Sequence, residues 1–133
     1  MTEPIEGVLV AGAGPVGLVT ALILARAGIP VTLLEAEPDI IRSPRAIVYH
    51  SPTVEALDRL GLLEDARELG MLKQDYQFRQ ADGTVLARMD MAVLAGDTKY
   101  PYNLHLGQDL LADIALRHLL RTGCAQVRYN HRV

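Results

Sequence analysis

The sequence predicts an α/β fold, a parallel sheet interrupted by an antiparallel hairpin excursion. Three observations carry this. An apolar run, Val8–Leu9–Val10, leads into glycines spaced G-x-G-x-x-G at Gly12, Gly14 and Gly17. A second apolar run, Ile29 to Leu34, ends on the acidic Glu35. Farther on, Asp82–Gly83 separates two stretches with strand character, which is a strong hairpin signal.

Each glycine of the first turn has its own task. Gly12 permits the tight exit from the strand, Gly14 leaves the backbone bare to a pyrophosphate, and Gly17 lets a helix lie close on the strand. The helix is expected from about Pro15, an early helical position where a missing N–H costs nothing. Its N-terminal N–H groups and dipole then face the phosphates. An apolar helical pattern follows through Val16, Val19, Thr20, Ile23 and Ala27, and Gly28 stops it. Glu35, closing the second strand, can accept hydrogen bonds from a ribose and would repel a 2′-phosphate. The glycine motif alone is a weak signal. The strand before it, the helix after it and the acid at the next strand end make it specific.

The loop 36–46 holds two prolines and several charges, on the carboxyl edge of the sheet where ligands bind. Arg45 can reach a diphosphate as a charge-assisted fork or face solvent, and the residues alone leave both open. Ile47–Tyr49 reads as extended. Ser51 and Pro52 read as an N-cap and first-turn proline, with Val54, Leu57 and Leu60 on one face of the helix they start. His50 reads as a hydrogen-bonding loop residue. A short helix from Leu62 ends at Gly70. Lys73 to Gln80 and Thr84 to Met89 read as the two hairpin strands, with Met89 and Met91 filling the core or its rim.

Gln108 opens a long helix with Leu111, Ile114, Ala115 and Leu119 inward, and its plain reading is an N-terminal cap. Gly123 ends that helix, Cys124 reads as a small buried junction residue, and Ala125 to Asn130 alternates as a final strand.

The chain has 133 residues, half of them hydrophobic, and a net charge of −3. That is enough for a core and argues against general polyanion binding. The basic end (Arg117, Arg121, Arg128, Arg132) lacks the interleaved aromatics of a single-strand binder, so no nucleic-acid partner is expected. One cysteine excludes an internal disulfide. The first residues are acidic where a signal peptide is basic, and Val16 to Ala25 is too short to span a membrane. The reading is a soluble, cytoplasmic protein. No zinc-ligand spacing, nucleophile elbow or Gly-Lys-Ser/Thr phosphate loop is present, so no catalytic or metal residue is assigned.

The ordered set of the Gly12–Gly17 turn, Glu35, Arg45–Ala46 and Gln108 before a leucine-rich helix resembles the FAD-dependent aromatic-ring hydroxylases. These are flavoprotein monooxygenases of the p-hydroxybenzoate hydroxylase type, and the likeness is greatest to their phenol and polyketide hydroxylase branch. It implies a Rossmann-like FAD-binding fold, incomplete here, with 1–133 as the N-terminal portion of the FAD-binding domain. It implies FAD contacts from Gly12, Gly14, Pro15, Val16, Gly17, Glu35, Ala36, Arg45 and Gln108. It also implies NADH or NADPH as electron donor and a small aromatic substrate in a full-length parent. Family members are several times longer, so this portion alone is expected to lack hydroxylase activity. Its exposed sheet edge is expected to favour self-association into a homo-oligomer. Two alternatives stay open on the residues: the Rossmann unit of an NAD-dependent dehydrogenase, and a non-catalytic nucleotide-binding module.

Overall fold

The protein is described here by a computed structural model covering residues 7–43 and 45–133. The expected lead-in 1–6 and Pro44 lie outside the described residues. The elements are β1 (Val8–Ala11), α1 (Pro15–Arg26), β2 (Val31–Leu34), β3 (Val48–Tyr49), α2 (Ser51–Arg59), α3 (Leu63–Leu69), β4 (Met71–Lys73), β5 (Asp75–Arg79), β6 (Val85–Asp90), a 3₁₀ turn (Met91–Leu94), β7 (Asn103–His105), α4 (Gln108–Arg121) and β8 (Ala125–Arg128). They group into two compact units, one made of the chain up to Ala46 together with Gly107–Val133, the other of Ile47–Leu106.

The first unit holds a parallel sheet of order β1-β2-β8. Val8 pairs with Val31 and Val31 with Ala125, so the carboxyl ends of all three strands share one edge. Helix α1 packs against α4, with Leu18, Ala21, Leu22 and Ala25 meeting the expected stripe Leu111, Ile114, Ala115 and Leu119 in a buried core. The small alanines let the two helices approach closely. The stripe read from the sequence for α1 is corrected here: Val16 and Ile23 face solvent, at 80% and 49% exposure. The helix is apolar almost all the way round, so periodicity could not say which side is inside.

The second unit contains an antiparallel sheet of order β3-β7-β4 and the β5-β6 hairpin. Val54, Leu62 and Leu104 are its fully buried centre. The hairpin turns at Asp82–Gly83 as expected: Gly83 has φ +90°, and Thr84 N–H donates to Asp82 Oδ1 at 2.9 Å. β4 is an addition to the sequence reading: the strand expected over 73–80 is β5, and Met71–Lys73 forms a separate strand just before it. Of the two methionines, Met91 is buried and Met89 is half exposed. Ser51 is not the cap of α2. The helix starts on it, with His50 in the cap position, and Ser51 Oγ faces Thr98 Oγ1 at 3.4 Å. Gly70 ends α3 without a positive φ; a side chain there would meet the carbonyls of Ala66 and His105 at 2.8 Å.

Candidate functional site

The turn between β1 and α1 is built as its glycines require. Gly12 has φ +97°, open to glycine and strained for other residues. Its N–H donates to the Leu34 carbonyl at 2.7 Å, which fixes the turn to the end of β2. A Cβ on Gly17 would lie 2.0 Å from the Gly12 carbonyl oxygen, so Gly17 sets the close packing of helix on strand. Gly14 is different. Its backbone is extended (φ −73°, ψ 173°), which any residue adopts, and a Cβ there meets nothing within 4 Å. Neither conformation nor packing within the protein requires glycine at 14; what it provides is bare backbone on the open side.

Helix α1 starts at that point. Its first ladder bond runs from Leu18 N–H to the Gly14 carbonyl at 3.0 Å, which leaves the N–H groups of Val16 and Gly17 without an intrahelical acceptor. Together with the helix dipole they make an anion-attracting corner.

Glu35 closes the other side. Its Oε2 accepts Ala13 N–H at 2.6 Å and its Oε1 accepts Glu37 N–H at 3.0 Å. These donors, Glu37 first and then Ala13, hold the carboxyl below its usual pKa and keep it ionised. Each oxygen retains lone-pair capacity for a further donor such as a sugar hydroxyl.

A cleft of about 130 Å³ opens here, lined by Ala13, Gly14, Pro15, Glu35, Ile40, Ile41, Arg45, Gln108, Asp109 and Ala112. Five residues singled out in the sequence, Gly14, Pro15, Glu35, Arg45 and Gln108, therefore share one cavity. Gly12, Val16, Gly17 and Ala36 do not line it; the two glycines shape the turn, Val16 is solvent-facing and Ala36 is half-buried. Gln108 is not the cap of α4. Gly107 holds that position, Gln108 N–H donates to the Ala46 carbonyl at 3.1 Å, and Gln108 is one of the residues lining the cleft. That backbone bond brings Arg45 and Gln108 together.

Sequence reasoning missed the apolar walls Ile40, Ile41 and Ala112. Ala112 lies one helical turn after Gln108, a spacing that could have revealed it. Just past β8, the buried hydroxyl of Tyr129 has no hydrogen-bond partner among the described residues. Cys124 is half-buried, and among the described residues no group of three or more side chains could hold a metal ion. No helix among the described residues is long and apolar enough to cross a membrane.

The residues present fit a diphosphate-bearing cofactor with a sugar hydroxyl, with bare backbone at Gly14, a helix N-terminus beside it and the ionised Glu35 lining the same cleft. The sequence matches the FAD binding domain family over residues 6–133. The chain belongs to that family.

This FAD binding domain is 48% identical over 131 residues to para-nitrophenol 4-monooxygenase of Pseudomonas sp. (strain WBC-3), covering 98% of this chain and 32% of that protein. It is 44% identical over 125 residues to 6-hydroxy-3-succinoylpyridine 3-monooxygenase HspB of Pseudomonas putida (strain DSM 28022 / S16), covering 94% and 32%. The crystal structure of p-nitrophenol 4-monooxygenase PnpA from Pseudomonas putida DLL-E4 superposes with a TM-score of 0.96 at 47% identity, covering 99% of this chain and 33% of that one. The chain thus spans about a third of the length of the relatives it matches. Nothing in these likenesses supports the dehydrogenase alternative.

Proposed function

We propose that this FAD binding domain is the N-terminal portion of a flavoprotein monooxygenase that hydroxylates a phenolic or related aromatic compound with NADH or NADPH and oxygen. The observation that carries the cofactor site is Gly14, whose missing side chain leaves an open face beside the α1 N-terminus and opposite the ionised Glu35. The activities for which the relatives are named, on para-nitrophenol and a hydroxypyridine, support the aromatic substrate class.

In this reading Gly14, Val16 and Gly17 offer backbone N–H groups to the diphosphate, and Pro15 starts the helix that presents them. Gly12 holds the turn, Glu35 binds the ribose of the adenosine half, and Ala36 flanks it. Arg45 supplies the positive charge and Gln108 an amide toward the chain leading to the flavin. When bound, FAD supplies the redox chemistry with oxygen; the protein supplies position, electrostatics and exclusion of water. No nucleophile–base pair is required of this chain. We read the protein as cytoplasmic, from its single cysteine.

The test is NAD(P)H oxidation and oxygen uptake by the protein in its longest natural form, loaded with FAD. Stimulation by 4-nitrophenol or another phenol supports the reading. FAD binding without any phenol-dependent turnover contradicts the substrate class, and absence of FAD binding contradicts the whole.

A further inference from the structure

We infer that Arg42 is a positioning residue for the FAD cleft, acting by tying the segment 36–43 to helix α4. The inference rests on the reading of that cleft as the FAD site. The segment has no regular secondary structure, yet it supplies the wall residues Ile40 and Ile41 and leads into Arg45. The facing wall, Gln108, Asp109 and Ala112, belongs to α4.

Arg42 joins the two walls. One guanidinium nitrogen donates to Asp113 Oδ2, 71 positions away on α4, and another lies 3.7 Å from Asp39 Oδ2. The hydrogen bond to Asp113, then the charges of Asp113, Asp39 and Asp109, raise the Arg42 pKa. Arg42 in this segment and Arg45 just after it thus divide their work. Arg42 is occupied by carboxylates, whereas Arg45 lines the cleft and is available to an anion.

The pair is half exposed, with side-chain accessibilities of 52% for Arg42 and 32% for Asp113. Pairs of that kind add little to global stability. The consequence is a separation of effects. Breaking the tie leaves the core of α1 and α4 intact but lets one wall of the cleft wander, and binding then includes the cost of reordering it.

The test measures FAD affinity, melting temperature and amide hydrogen exchange for Arg42→Ala, and for the exchanged pair Arg42→Asp with Asp113→Arg. Arg42→Ala is expected to weaken FAD binding about tenfold. Its melting temperature should shift by less than about 5 °C. Amides of 40–43 should exchange faster, and the exchanged pair should recover both affinity and protection. Unchanged affinity overturns the inference, as does a loss that follows the melting temperature and is not recovered by the exchanged pair. Failure of the unaltered protein to bind FAD ends the cofactor reading instead. The exchange data then still test the tie, and unchanged protection of 40–43 in Arg42→Ala overturns it.

Discussion

Glu35 Oε2 accepts the N–H of Ala13 at 2.6 Å, so the acid at the end of β2 clamps the glycine turn at the end of β1. The acid expected to meet a sugar therefore also holds the backbone on which a diphosphate would rest. Because its second oxygen takes the Glu37 N–H, the carboxylate is held in place before any ligand arrives. Replacing Glu35 with Ala removes both the clamp and the acceptor. FAD affinity should fall by about 1.5–3 kcal/mol, the range for hydrogen bonds to a charged group. The pH dependence follows from the lowered pKa. A depressed carboxyl contributes above its unfolded value of 4.5, and the contribution fades as pH falls from there through the lower folded value. Thermal melts of the unaltered protein between pH 7 and 3 should show this loss, and Glu35→Ala should flatten it.

Gly17→Ala should damage the fold more than its size suggests. The added methyl would lie 2.0 Å from the Gly12 carbonyl oxygen, a backbone atom that cannot swing aside. Overpacking of this kind costs about 1–3 kcal/mol, to be read as a lower midpoint in urea.

In the second unit, Asp58 accepts from the Tyr100 hydroxyl and from Lys99 Nζ at 3.0 Å, linking α2 to the loop before β7. Tyr100 first and Lys99 second hold the Asp58 carboxyl below its ordinary 3.8. The stabilisation is present above that value and disappears as pH falls through the lower folded pKa. Asp58→Asn should melt lower at pH 7 and vary less with pH in the acid limb, as circular dichroism would record.

Tyr129 is a test of opposite sign. Its buried hydroxyl has no partner among the described residues, and burial together with Asp39, Glu35 and Asp113 raises its pKa. Removing an unsatisfied buried group relieves its desolvation. Tyr129→Phe should therefore melt at the same temperature or higher without ligand, unlike most aromatic truncations in a core.

Much of this was legible in the residues, for identifiable reasons. Gly12, Gly17, Gly28 and Gly83 punctuate the chain where backbone geometry or close packing demands it, so β1, α1, β2 and the hairpin could be placed. The stripe of α4 was clear because polar residues mark its outer side. The face of α1 was not, since Val16 and Ile23 are as apolar as the buried Leu18 and Leu22. β4 was missed because Met71–Lys73 is exposed throughout and exists as a strand through its backbone pairing with β7. In the cleft, Glu35 was found from its position at a strand end, whereas Arg45 and Gln108 were assigned through the family resemblance, since the residues alone leave Arg45 open and read Gln108 as a cap. Ile40 and Ile41 were not, because their placement depends on Arg42 reaching Asp113, a tie between distant parts of the chain that no local pattern encodes.

The most direct measurement is a flavin fluorescence titration of the protein and of Gly14→Val with FAD. A Cβ placed on Gly14 meets nothing within 4 Å among the described residues. Saturable binding by the unaltered protein, abolished in a Gly14→Val variant that still melts cooperatively, is the predicted result. Equal FAD affinity in the two proteins would contradict the account, since the diphosphate would then rest somewhere other than against the backbone of Gly14.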